Sequence, residues 1–453
     1  MPATPIISNV ITAAPPRRSP LPTLAILLLV AAGWALTVLV FQPGYMTVDA
    51  RYLYEDMRAS TLSDWQSPVM GVLWRLIDPL APGAWSMFLL IGALYWLGFG
   101  LLALIVARRS PWLGIALPVV ALAPPSFFLV GMIWRDMLFA GAWLVAAVLA
   151  LATAELRLRA LIPLRAVAIV LIAFGVLLRQ NAIFAAPILA TYALWPQRFD
   201  LKRAALLLLP GALAFYLLIP AVYYGVLDAR KVSPLHQIFV YDLGGITAFS
   251  GENQFPVTWS PEQTALLTGD CYSPVLWNVY WNTPPCAFVM QRLEQPDDPI
   301  FGSPRLAQAW RHAVVAHPMA YLEHRASFMW NFLARPNLVL PYYDWQGPQA
   351  TYGANPYFKP LLALHGMLEQ TLLFRVGLWL ALSFAVAALA WPTRTEPLGA
   401  FAVGVNVCAI VYIGTFFPVG VASDFRYGYW CVLAALTGGI AALAARTGKD
   451  AAA

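Results

Sequence analysis

The first uninterrupted apolar run, from about Leu21 to Phe41, sets the terms for everything after it. A bilayer core is crossed by about 20 residues of helix, and this run is that long. A signal peptide's apolar core is shorter, about 7–15 residues, so the run reads as a retained first span behind Arg17 and Arg18. Runs of the same kind recur near 84–107, 113–132, 136–154, 164–179, 182–195 and 204–224, and again near 371–391, 398–416 and 427–446. The expectation is an all-α polytopic membrane protein with about ten transmembrane helices and both ends in the cytoplasm. Only 11% of the chain is charged and 60% is hydrophobic, against roughly a quarter charged in soluble domains. That composition excludes a large soluble enzyme, and the net charge of +6 sits in short loops, which is a topology signal and not a nucleic-acid one.

The loops assigned to the cytoplasm carry thirteen Lys and Arg residues against four Asp and Glu, Arg108, Arg109, Arg198, Lys202 and Arg203 among them. Positive loops stay inside, so charge and hydropathy agree. Residues 1–20 read as a Pro-rich, poorly ordered cytoplasmic N-terminus. Residues 21–224 read as a transmembrane domain with an outer loop at 42–83, in which SPVMGVLWRLIDPLAPGAW forms a surface helix. Residues 225–370 read as an extracytoplasmic domain of loops, short strands and helices, since so long a connection needs structure of its own. Residues 371–446 form the last three spans and 447–453 a cytoplasmic tail.

Cys271 and Cys286 lie in that outer segment, and in an oxidising compartment a disulfide between them is expected. No CxxC or HxxxH spacing accompanies them, so no zinc site is expected. Cys408 and Cys431 fall within apolar runs and read as small core residues. His317-Pro318 should break a helix. Beyond it Tyr321, His324, Arg325 and Phe328 share a helical face. There is no internal repeat and no Gly-rich phosphate loop.

With this topology, five charged clusters face one compartment. They are VDARY with Asp49, Arg51 and Tyr52; SDWQSP with Asp64 and Trp65; IWRDMLF with Arg135 and Asp136; LLRQNAIF with Arg179 and Asn181; and SDFRYGYW with Asp424, Arg426 and Tyr427. Ionisable groups held against a membrane are costly and mark sites. Carboxylates beside arginines suit one reaction: cations take up the charge on a departing lipid phosphate, and a carboxylate removes the acceptor's proton.

The ordering of these clusters resembles the GT-C class of integral membrane glycosyltransferases, with protein O-mannosyltransferases and bacterial aminoarabinose transferases as the most similar groups. In that class an Asp, often as DE or DExRY, follows the first span on the outer face. Asp49, Arg51 and Tyr52 match it, while Ala50 stands where the second acid would. DWQSP matches a DWxxP-type element, and Asp136 stands where a second outer acid is frequent. The resemblance implies Asp49 as catalytic base, with Asp136 as the second catalytic candidate. It also implies a polyprenyl-phosphate sugar as donor and inversion by direct displacement. Arg179 and Arg426, then Arg135, are phosphate-binding candidates from charge and placement. With Arg51, Tyr52, Asp64, Asn181 and Tyr427 they complete the expected substrate-binding set. The bland readings stand beside these: an interfacial Asp49–Arg pair, a capping Asp136, snorkelling arginines, a hairpin Asn181 and belt aromatics.

The expected protein is thus a multi-pass enzyme of a bacterial inner membrane, its site facing the periplasm. It would move one sugar to a cell-envelope glycan such as a lipopolysaccharide, to a lipid or to a protein. No cofactor is expected, a divalent metal being left open, and no nucleic-acid partner. Two rivals are an O-antigen-ligase-like transferase using a polyprenyl-diphosphate glycan through His317, His324 and Arg325, and a lipid-linked sugar transporter that makes no bond.

Overall fold

The computed structural model describes residues 20–155, 163–336, 338 and 355–450. The expectations for residues 1–19 and for the last three residues of the tail lie outside the described residues. Seven helices among these are long and apolar enough to cross a membrane.

Helix α1 (Leu21–Phe41) runs toward the end of the bundle where the candidate site lies. Its 21 residues span about 31 Å at 1.5 Å per residue. A short return through Gly44 leads to α2 (Val48–Ala59) and α3 (Pro68–Ile77), two surface helices. Gly44 adopts φ +100°, a left-handed conformation that suits glycine. Helix α4 (Ala84–Val106) crosses back beside α1. The close approach is made at Gly33, where any Cβ would strike the Trp96 ring.

Residues 113–132 do not form one helix, as the apolar run suggested. Helix α5 (Pro111–Val120) stops after ten residues. A single turn at Pro124–Phe127 follows, because Pro124 and Pro125 carry no N–H to continue the ladder and bias the preceding residue away from helix. The chain then pairs with the stretch after α1, through Tyr45 N–H to Gly131 O and Ile133 N–H to Tyr45 O. Helix α6 (Arg135–Glu155) is the most enclosed span, with 89% of its apolar window buried. It packs against α7 (Pro163–Leu178), where the Trp143 indole sits on Gly175 and donates to Ile172 O.

The expected span 182–195 is also reduced. A tight 3₁₀ stretch over 180–184 precedes α8 (Ala186–Leu194), nine residues long. Helix α9 (Leu201–Pro220) is followed by a π-turn over Ala221–Val226. Only 6% of this span's window is fully buried; one face packs on α8 and the 180–184 turn, with Gly211 against Pro187, and the opposite face is exposed and largely apolar. The π-turn aims two tyrosines inward: Tyr223 donates to Leu177 O and Tyr224 to Asp64 Oδ2.

In the long segment that follows, the described residues hold helices and isolated bridges but no strand, so the expected short strands are absent there. Helix α10 (His236–Ser250) packs on α11 (Pro304–Ala316) and α12 (Pro318–Ala334). The break between the last two falls at His317, as Pro318 requires. Cys271 and Cys286 are joined in a disulfide. Helix α13 (Phe358–Leu368) leads to the closing hairpins α14 (Val376–Ala390), α15 (Pro397–Val419) and α16 (Tyr429–Asp450). Cys408 and Cys431 are buried among them.

Candidate active site

Four helix ends converge on one cavity. Asp49 lies in the first turn of α2, Arg135 and Asp136 open α6, Arg179 follows α7, and Asp424 with Arg426 precedes α16. The cavity measures about 1420 Å³ and is lined by all six of these residues. Asp64, Tyr52, Asn181 and Tyr427 also line it. Of the ten catalytic and substrate-binding residues expected from the sequence, Arg51 alone is outside the lining. It points along the outer face of α2, where Nε donates to Glu55 Oε1 at 2.7 Å.

The Asp49 carboxylate is positioned through its own helix start. Thr47 caps α2, accepting from Ala50 N–H and from the Trp134 indole at 2.9 Å. An anion in a first helical turn is favoured by the helix dipole. Gln66 donates to Asp49 Oδ1 at 3.3 Å, and Arg426 Nη2 stands 3.6 Å from Oδ2. About half of the Asp49 side chain, 49%, stays accessible from the cavity.

The other acids are committed. Asp136, 4% exposed, receives two N–H groups of Arg179 on Oδ1. The sequence candidates Asp136 and Arg179 are therefore each other's partner, and neither is a free base or a free cation. Asp64 holds Tyr224 OH at 2.7 Å and Val232 N–H at 2.7 Å. It ties α9's π-turn and the loop after it to the α2–α3 connection, and only 5% of the residue remains exposed. Asp424 accepts from Arg426 N–H at 3.0 Å and lies 3.2 Å from its Nε. Burial pushes the Asp424 carboxyl above its ordinary value, with the Arg426 charge opposing.

The cations separate in the same way. The guanidinium of Arg179 lies 4.5 Å from the Tyr427 ring centre, and that of Arg426 lies 4.5 Å from Trp134 and 5.0 Å from Tyr427. Both are thus held by a carboxylate and an aromatic face. Arg135 lines the cavity and, among the described residues, makes no ion pair and no hydrogen bond. Lys231 reaches the same cavity over the Tyr224 ring, 4.5 Å away. Asn181 donates to Thr415 Oγ1 at 3.2 Å, tying the turn after α7 to α15.

Sequence reading passed over several members. Gln66, the direct partner of Asp49, lies inside the quoted DWQSP element, and its amide beside an acid was the available signal. Trp134, immediately before Arg135, was hidden among belt aromatics. Trp65, already named in SDWQSP, is joined on the same cavity by Trp277 and Trp281. No single spacing links the last two to the first.

The histidine and arginine of the rival reading lie elsewhere. His324 and Arg325 are wholly buried against Asp242 of α10 and do not line the cavity. His317 lies in a separate open hollow, 3.8 Å from Glu252. Among the described residues no group of three or more His, Cys, Asp or Glu side chains could hold a metal ion. No protein-family model, no curated protein and no solved structure matches this chain.

Proposed function

We propose that this protein is a membrane glycosyltransferase with a GT-C-like arrangement of about ten crossings. It moves a single sugar from a polyprenyl-phosphate donor to an acceptor on the periplasmic face of a bacterial inner membrane. Seven apolar helices support the multi-pass reading, and the positive loops supply the orientation. The observation that carries the activity is one accessible carboxylate, Asp49, sharing a cavity with the unpaired Arg135 and with Arg426.

The acceptor oxygen attacks the anomeric carbon as the bond from that carbon to the phosphate oxygen breaks. Asp49 takes the acceptor's proton. Polyprenyl phosphate leaves with the bonding electron pair, and its extra negative charge is met by Arg135, with Arg426 close by. Direct attack inverts the anomeric centre. Asp136 orients Arg179 and takes no proton. The apolar lining from α9, Tyr216, Ile219 and Pro220, suits a lipid tail, since that helix also presents an exposed apolar face with Leu206, Leu209, Leu213 and Leu217. The ligase-like rival has less support, because His324 and Arg325 are 0% exposed.

The test is Asp49→Asn in purified protein, given a synthetic polyprenyl-phosphate sugar, with released polyprenyl phosphate as readout. Turnover should fall by about 10²–10⁴, the range of a lost general base, with an unchanged melting profile. Wild-type turnover in this variant would remove Asp49 from the mechanism, and release of no polyprenyl phosphate by wild type on any donor would favour a transporter.

A further inference from the structure

The cavity has two unlike walls. One is made by the spans and is apolar, with Ile183, Phe184, Tyr216 and Ile219. The other is made by the disulfide-closed stretch Cys271–Cys286 together with Trp65. On it three indoles pack together: Trp65 to Trp281 at 5.6 Å and Trp277 to Trp281 at 5.3 Å edge to face, and Trp65 to Trp277 tilted at 6.4 Å. Trp277 is 5% exposed and backs the other two, which keep partial exposure. None of the three indole N–H groups donates to another group among the described residues, and the Asn278 side-chain amide beside them makes no hydrogen bond there either.

The core rings Trp96 and Trp143 fill their polar valences inside the protein, whereas buried Trp430 leaves its N–H unfilled among the described residues, so it is the partial exposure of Trp65 and Trp281 on the cavity that sets their spare N–H groups apart. Open aromatic faces with spare N–H and amide groups offer what a sugar ring asks for. Its C–H face lies on an indole and its hydroxyls take and give hydrogen bonds. The wall is also fixed to the charged site. The Trp277 backbone N–H donates to Val421 O at 3.0 Å and the Ser423 backbone N–H to Val275 O at 2.7 Å. The strip after α15 that carries Asp424 and Arg426 is thus pinned to the loop that carries Trp277 and Trp281.

We propose that Trp281 and Trp65, with Asn278, form a binding platform for a saccharide acceptor. This rests on the transferase reading and narrows it: of glycan, lipid and protein acceptors, the wall fits a glycan. The choice of acceptor over donor sugar follows from placement. The donor's tail needs the spans' apolar wall, whereas this wall belongs to the segment that emerges from the spans and meets water-borne molecules.

The experiment is saturation-transfer NMR on the full-length protein in detergent. The probes are the methyl glycosides of glucose, galactose, mannose and N-acetylglucosamine, with an alanine hexapeptide as comparison. At least one glycoside should show transfer to its ring protons, and the peptide none. Trp281→Ala and, separately, the milder Asn278→Ala should weaken that binding, the former about tenfold. Trp330→Ala, on an exposed face of α12, should leave it unchanged, as should Asp49→Asn. Loss of turnover with retained glycoside binding in Asp49→Asn separates the base from the platform. Full turnover there would sink the base and leave the platform standing. No transfer to any glycoside, equal transfer in Trp281→Ala, or transfer to the peptide alone would overturn the proposal.

Discussion

Asp242 sits 2.6 Å from Arg325 and 3.2 Å from His324, with no exposed surface on any of the three. Asp49 sits 3.6 Å from Arg426 with half of its side chain open to a cavity. Both clusters are made of the same residue types on helices outside or at the edge of the spans, yet they are built for different ends. In the buried cluster part of the remaining capacity is taken inside the protein, Trp310 donating to Asp242 Oδ2 at 2.7 Å and Arg325 Nη1 to Gly420 O at 2.6 Å, while Arg325 Nε is buried without a hydrogen bond among the described residues. In the open cluster, Asp49 keeps an accessible face, and the Arg135 side chain makes no ion pair or hydrogen bond among the described residues, although the charges of Asp136 and Asp49 act on it. Residue identity does not separate a structural charge cluster from a chemical one; what separates them is whether the fold leaves the charged groups accessible from a cavity.

The sharpest way to break that contrast is to remove one member of the buried set. Arg325→Ala strands a buried carboxylate and should cost about 3–5 kcal/mol, read as a large drop in thermal midpoint in detergent. Asp49→Asn, which touches a half-exposed pair, should cost no more than about 0–1 kcal/mol. If Arg325→Ala melts like wild type, the cluster is not structural, and the ligase-like reading regains its footing.

Within the open cluster the contrast recurs between two arginines. Arg135→Gln removes an unpaired cation and should leave the melting profile unchanged. It should lower turnover by about 10²–10³, as for loss of one group that stabilises developing charge. Arg179→Gln strands the buried Asp136 and should lower the thermal midpoint as well. Measuring midpoint and turnover for the pair locates the phosphate-binding cation. A variant of Arg135 that loses stability while keeping its rate would assign the role to Arg426.

Much of the open cluster was legible because charges at the ends of apolar runs stand out against their surroundings. Asp49, Arg135, Asp136, Arg179 and Arg426 each abut a run, and helix ends on one side of a bundle must meet. Their pairing was not legible. That Asp136 holds Arg179, 43 positions away, depends on how α6 and α7 pack. Asp242 was missed altogether, lying in the apolar-looking stretch FVYDLGG with partners about 80 positions on. The crossings were read from run length, which cannot see where proline ends a helix. That is why 113–132 breaks at Pro124 and why 182–195 yields a nine-residue helix.

The smallest expected effect concerns His324 and pH. Its ring faces Asp242 of α10, Arg325 of its own helix, Tyr241 across the packing and Tyr272, whose hydroxyl lies 3.2 Å from Nδ1. Burial lowers its pKa below the ordinary 6.5, outweighing the pull of Asp242. The folded protein therefore keeps His324 neutral where the unfolded chain would take a proton. Below about pH 6.5 the unfolded state binds more protons, so stability falls with pH, by at most about 1.4 kcal/mol per unit from this group. The midpoint of wild type should drop between pH 7.5 and 5.5 by more than that of His324→Gln, which has no such titration. Asp49→Asn should follow wild type, since it leaves the buried set intact. Parallel slopes in wild type and His324→Gln would mean that His324 does not couple protonation to the fold, and that the Asp242 cluster tolerates charge as the open cluster does.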